Sequence, residues 1–294
     1  MKNIKNLFLA ACAFVVYSAG FAQSNILNAH SAAEIGDESI EEIYMKADGP
    51  LPYEYVNDRD IIFKKKVWEV IPADQRQNLI YFFPIEETID RKPLWNVLKD
   101  AVMNEKIKEV YYDENFKEKL NLRELESKFV RTDTASAGIE QYMLEGRIDD
   151  QYIYDVELRP TDVQEYRVMG MYYLDRNAGE LKYRILGLAP VVIDLATKGT
   201  EYEQAVPLFW IFFPDARETL YNTYAYNERN PAMKMNFDYL FNARRFSSTI
   251  YKADNIYGDR NISEYVRENA MMQLLEAERI KESIRDLEDD LWNY

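Results

Sequence analysis

An export signal followed by a chain with no cysteine leaves only a packed core to hold the fold together. The N-terminus has a positive start at Lys2 and Lys5. The ten-residue apolar run Leu7 to Val16 is too short to span a bilayer. Small residues at Gly20 and Ala22 bracket Phe21, which predicts cleavage after Ala22, before Gln23. The single cysteine, Cys12, lies inside that signal. A rival reading takes Leu9-Ala10-Ala11-Cys12 as a lipoprotein signal, but the apolar stretch continues beyond Cys12. Export permits disulfides, yet after cleavage this chain has no cysteine with which to form one. A chain of this length can bury enough surface to be stable without them.

The same inventory narrows the chemistry. Without cysteine, and with His30 as the only histidine, there is no thiol nucleophile, no histidine relay in the core and no usual ligand set for zinc, haem or an iron–sulfur cluster. The sequence therefore predicts a protein without catalytic, cofactor-binding or metal residues. Loss of Lys2 and Lys5 takes the formal charge from −15 to −17, which disfavours nucleic acid and anionic lipid and suits a basic partner. Twenty-three tyrosines and fourteen phenylalanines exceed what a core of this size needs and point to contact surfaces, of protein or of glycan.

The predicted organisation is a signal peptide at 1–22, an extended or poorly ordered arm at 23–57, an α+β domain at 58–260 and a charged amphipathic helix at 261–294. Within the domain, Asp58-Arg59-Asp60 opens a helix to about Val70, with Lys64-Lys65-Lys66 on its solvated face. Leu79 to Pro84 reads as a buried strand, and Pro93 starts a helix that turns Leu94, Val97, Leu98, Ala101 and Val102 to one side. Val110 to Tyr112 is a strand, Asn121 caps a short helix, and Thr132 to Gly138 is a loop. Two strands flank the turn Asp175 to Gly179, with Pro190 expected at an edge or bulge. Pro207 to Phe213 reads as one apolar strand leading into a helix at Pro214, and Phe237, Leu240 and Phe241 mark another helix. Leu79 to Pro84 resembles Phe209 to Pro214, a faint sign of duplication. In the final helix, a capping box at Asn261 precedes a narrow stripe through Val266, Ala270, Ala277, Ile280, Ile284, Leu287, Leu291 and Tyr294. The fold class is α+β, with mixed short sheets, several helices and a long C-terminal helix.

Few residues are left for chemistry. A glycosidase needs two carboxyls about 5–10 Å apart across a cleft, and no pair among the acids stands out. Asp254 to Asp259 offers oxygen ligands in a turn but lacks the spacing of a calcium loop, and reads better as a capped turn. Arg244-Arg245-Phe246 has the composition of an interface anchor.

The stretch Leu240-Phe241-Asn242-Ala243-Arg244-Arg245-Phe246-Ser247-Ser248 resembles a signature of the gliding-motility-associated GldN/PorN family. So do Ile250-Tyr251-Lys252 to Arg260, Val67 to Ile71, Tyr81 to Pro84, Leu208 to Glu218 and the terminus through Trp292-Asn293-Tyr294. The resemblance runs from about Arg59 to the end. It implies a periplasmic component of the type IX secretion system that forms a ring with a GldK/PorK-like outer-membrane lipoprotein. It also implies contacts with GldL/PorL-like and GldM/PorM-like inner-membrane motor proteins. On this reading Arg244, Arg245, Phe246 and Trp292 are candidate partner contacts. The alternatives are a periplasmic glycan-binding or glycan-cleaving protein and a chaperone that holds secreted cargo.

Overall fold

In the computed structural model the chain is organised around an antiparallel sheet built on one long hairpin. The structure describes residues 49–292 apart from 89–90, 196, 199–202, 227–233, 257 and 268, with side chains described as far as Asp289. The predicted signal peptide and most of the predicted arm lie outside the described residues.

Strand β5 (Val163–Asp175) turns at Arg176 to Gly179 into β6 (Glu180–Ile193). Asp175 closes the turn: its carbonyl accepts from Gly179 N at 2.8 Å and its Oδ1 accepts from Asn177 N at 2.9 Å. Gly179 supplies the left-handed residue, at φ +65°. Strand β1 (Ile61–Pro72) lies along β5, and β11 (Thr249–Ala253) along β1. On the other side, β7 (Ala205–Pro207) and β8 (Trp210–Phe212) pair with β6, and β2 (Val110–Tyr111) with β8. The order is β11-β1-β5-β6-β8-β2, with β7 branching from β6. Separate two-stranded ribbons join β3 (Val130–Thr134) to β4 (Ile153–Glu157) and β9 (Tyr224–Ala225) to β10 (Met235–Asn236).

Helices occupy one face of the sheet. The short α1 (Leu79–Phe82), α2 (Leu94–Met103), α3 (Leu122–Phe129), α5 (Phe213–Tyr221) and α6 (Phe237–Asn242) supply buried residues to one main core with Ile71, Tyr166, Val168, Ile185 and Leu188 of the sheet. Helix α4 (Ser136–Glu145) belongs instead to the β3–β4 ribbon. The turn α7 (Ile262–Tyr265) and the long α8 (Ala270–Trp292) build a second core with Val67, Ile250 and Ala253. Tyr183 packs against both cores. On the opposite face, Trp68, Met169, Ala189 and Trp210 pack with Phe116. Gly170 is required by this packing, because a Cβ there would lie 2.1 Å from the Tyr183 hydroxyl.

The α+β class, the helix after Pro93, the Asn121-capped helix and the Asp175–Gly179 hairpin stand as read from sequence. Several elements are corrected. Residues 61–72 form a strand, not a helix. Ile61, Val67, Trp68 and Ile71 fit a helical spacing, but β5 and β11 pair with this backbone on either side, and both faces of the strand are covered, Val67 by the α8 core and Trp68 by the cluster on the opposite face. The three lysines lie on that strand, with Lys66 Nζ 5.4 Å from the Trp68 ring centre. Leu79 to Phe82 is one helical turn rather than a strand, closed by Phe83 N donating to Leu79 O. A short apolar run fits either state, and here the adjacent 3₁₀ turn Arg76–Asn78 continues into helix. Since Trp210–Phe212 is a strand, the two similar segments take different structures.

Thr132 to Thr134 lies in β3, and Gly138 in α4, because β4 supplies a partner that the local composition did not reveal. Pro207 to Phe213 is two strands, with Leu208 N donating to Pro190 O between them. That gap also explains Pro190, which is at neither an edge nor a bulge. Its missing N–H faces the point where β6 changes partner from β8 to β7. Finally, Asn261 begins only α7 and makes no side-chain cap, and the long helix starts at Ala270. Ala277 and Ile284 are buried and Ile280 packs beside them, so the stripe faces this chain's own β11.

Candidate interaction surfaces

Helix α6 sets up the Arg244-Arg245-Phe246 turn. Asn236 caps it, its Oδ1 accepting from Tyr239 N at 2.8 Å. After Ala243 the chain enters the left-handed region at Arg244 (φ +50°), which ends the helix and turns the next three side chains in different directions. Arg244 reaches back to the sheet. Its Nη2 donates to both Glu69 oxygens, at 2.8 and 3.0 Å, and its Nη1 to the Tyr172 hydroxyl at 2.7 Å. Its guanidinium lies 4.0 Å from the Tyr183 ring centre. Glu69 is fully buried, and the Ser248 hydroxyl also donates to it. Burial works against the Arg244 charge, but Glu69 and the two tyrosines outweigh it and hold its pKa above the usual value.

Phe246 also turns inward, against Tyr81 and Phe241. Arg245 points elsewhere. Its Nη2 donates to the Tyr239 hydroxyl at 2.8 Å, and its side chain borders a cleft of about 980 Å³. Leu79, Ile80, Phe83, Tyr226 and Met235 line the cleft with Arg76 and Gln77, and among the described residues no acid lines it. Asn78 fixes the turn beside it: its amide nitrogen donates to Pro72 O and Ser247 O, and its Oδ1 accepts from Ser247 N. Trp292 closes α8, and its side chain lies outside the described residues. The structure thus brings Arg244, Arg245 and Phe246 to one turn, with Arg245 on the cleft wall and the other two directed into the fold.

A second constellation was not read from sequence. Arg217 Nε and Nη2 donate to the two oxygens of Asp238, at 2.9 and 3.2 Å, within the α5–α6 packing. Burial lowers the Arg217 pKa and raises that of Asp238 to about 7, against an opposing hydrogen bond from Asn242. The Tyr53 ring covers this pair, 4.1 Å from Arg217 and 4.8 Å from Arg184, and its hydroxyl donates to Asn242 Oδ1. Glu54 adds an ion pair with Lys182. Glu69 did carry a signal, since an acid inside Val-Trp-Glu-Val-Ile must find a partner if that run is buried. Tyr53 carried none.

Among the described residues no group of three or more His, Cys, Asp or Glu is placed to hold a metal ion, and no helix is long and apolar enough to cross a membrane. At the turn 254–259, Asn255 and Asp259 each accept from the other's backbone N–H, which is the closed turn expected there.

The family model described as gliding motility associated protein GldN matches residues 56–293. The chain belongs to this family. That covers nearly all of the described structure, including the Arg244–Glu69 and Arg217–Asp238 pairs, and carries with it a structural part in type IX secretion. No curated protein matches the chain.

Proposed function

We propose that this chain is a non-enzymatic periplasmic subunit of the type IX secretion system. It forms a ring with a GldK/PorK-like outer-membrane lipoprotein, after export and cleavage near Ala22. The ring engages GldL/PorL-like and GldM/PorM-like motor proteins, and supports protein export and, in gliding species, movement. The family match over 56–293 carries this reading. The cleft beside Arg245 supports it: aromatic and aliphatic walls with a bordering arginine suit a protein side chain.

Arg245 is the member of the Arg244-Arg245-Phe246 turn that serves as a partner contact, and Arg244 and Phe246 hold the turn in place. Deleting the gene should abolish secretion of the system's cargo, and the full-length chain should restore it. Restoration by the Arg245→Glu chain at wild-type levels, with the lipoprotein still bound, would remove Arg245 from the contact. Normal cargo secretion in the deletion strain would overturn the reading itself.

A further inference from the structure

Residues 50–56 lie on the body of the fold with no helix or strand of their own. Two side chains and one carbonyl hold them there. The Tyr53 ring lies against two guanidiniums, 4.8 Å from Arg184 and 4.1 Å from Arg217, and its hydroxyl donates to Asn242 Oδ1. Glu54 pairs with Lys182 at 2.6 Å, and its carbonyl accepts from Arg184 Nη2 at 2.7 Å. The receiving side chains stand on β6, α5 and α6. Asp238 offsets Arg217, whereas Arg184 is held by two uncharged groups, the Glu54 carbonyl and the Tyr173 hydroxyl. An aromatic face against both cations offsets their mutual repulsion.

Charge matches the segment to this site. Lys182, Arg184 and Arg217 meet it, with Asp238 bound to Arg217 and Glu180 near Lys182. Residues 50–58 carry Glu54 and Asp58 and no base. The arrangement within one chain nevertheless leaves Tyr55 88% and Leu51 47% exposed. The link to β1 is a single turn on the surface, in which Asp60 N donates to Asn57 O and Arg59 N to Asn57 Oδ1. Opened out, the eight residues from Tyr53 to Ile61 reach about 26 Å.

We infer that in the assembled protein residues 51–55 of one copy occupy the Lys182–Arg184–Arg217 site of the next copy. The occupant is a second copy of this chain because 51–55 is the segment this site fits, and every neighbour in a ring of like copies presents it. Exchange keeps each contact listed above between segment and site, opens only the turn at Asn57, and lets Leu51 and Tyr55 gain cover between two bodies. Each copy gives its segment to one neighbour and receives one from the other, so the contact is heterologous, head to tail. Copies of a chain this acidic repel over most of their surface, and the exchange joins them where that surface is locally cationic. The inference rests on the ring reading and deepens it by naming the contact and the partner.

The test is cysteine cross-linking of the full chain in its own cell envelope, in a Cys12→Ser background so that the introduced thiols are the only ones. Glu54→Cys and Lys182→Cys replace a surface ion pair and leave the core and Tyr53 in place. Co-expression of the two single variants should give a dimer under a short bismaleimide, each variant alone should give none, and the double variant should give a ladder. Adding Tyr53→Ala to the Glu54→Cys copy should cut the dimer about tenfold. An unchanged yield would show that the thiols meet through another contact and overturn the inference. A double variant linked only within single chains, with no dimer from co-expression, would overturn it too, since each segment then stays on its own body. So would the absence of any product while each variant still supports secretion. Ring-shaped particles recovered from those same cells would leave the ring reading standing, whereas a deletion strain with normal secretion removes it.

Discussion

Arg244, at the left-handed residue that ends α6, sets one guanidinium nitrogen within 3.0 Å of both carboxylate oxygens of Glu69, in the middle of β1. The pair links the last third of the chain to its first described strand. Because Glu69 has no exposure, removing Arg244 leaves a buried charge without its counter-ion. Arg244→Ala should therefore lower unfolding stability by about 3 kcal/mol, and Arg245→Ala by clearly less, in urea denaturation followed by far-ultraviolet circular dichroism. Equal losses for the two variants would contradict the different placement of the two arginines.

The crossing of Tyr183 over Gly170 makes a second prediction. Both are in the β5–β6 hairpin, and the tyrosine has no room to move away because its ring is enclosed by Tyr172 and Arg244. Gly170→Ala should cost about 1–3 kcal/mol by overpacking. Tyr183→Ala is itself costly, because the ring packs against both cores, but in that background Gly170→Ala should cost clearly less than it does in the wild type, the added methyl then meeting open space. A Gly170→Ala protein as stable as the wild type would contradict the close approach.

Asp238 gives stability a pH dependence. Burial raises its folded pKa to about 7, whereas in the unfolded chain it titrates near 4. Between those values the folded state binds the extra proton, so the contribution of this group to stability falls as pH rises from about 4 to 7 and is constant above that. Relative to the wild type, Asp238→Asn should gain melting temperature steadily across that window. Parallel melting curves for the two proteins from pH 4 to 8 would place the carboxyl at an ordinary pKa.

Tyr53 fastens residues 49–57 to the α5–α6 face through two guanidinium contacts and a hydrogen bond to Asn242. Tyr53→Ala should free that segment while costing only about 1–2 kcal/mol of global stability. Limited proteolysis should show faster cleavage N-terminal to Asp58 with the domain left intact. An unchanged cleavage rate would show that Glu54 and Lys182 suffice to hold the segment.

Much of this fold follows from local pattern. The α2 stripe has its proline at the start and five apolar positions on one side, and all five are buried. The Asp175–Gly179 turn needs a left-handed residue where glycine stands. What could not be read from sequence depends on partners distant in the chain. Residues 61–72 follow a helical spacing, but the strands that flank them lie about 100 and 180 residues later. The α4 ribbon looks like a loop until Ile153–Glu157 is laid beside it. At the Arg244-Arg245-Phe246 turn the residue types were evident and their directions were not. A backbone reversal at Arg244 sends adjacent arginines to a buried carboxylate and to a cleft wall, and nothing in their composition distinguishes them.

The most direct test of the central claim is to isolate the tagged full-length protein from gently solubilised envelope, identify what comes with it by mass spectrometry and image the particles by negative stain. The account predicts an outer-membrane lipoprotein of the GldK/PorK type in stable, ring-shaped particles. A lone monomer with no lipoprotein, from cells in which type IX secretion is active, would contradict it.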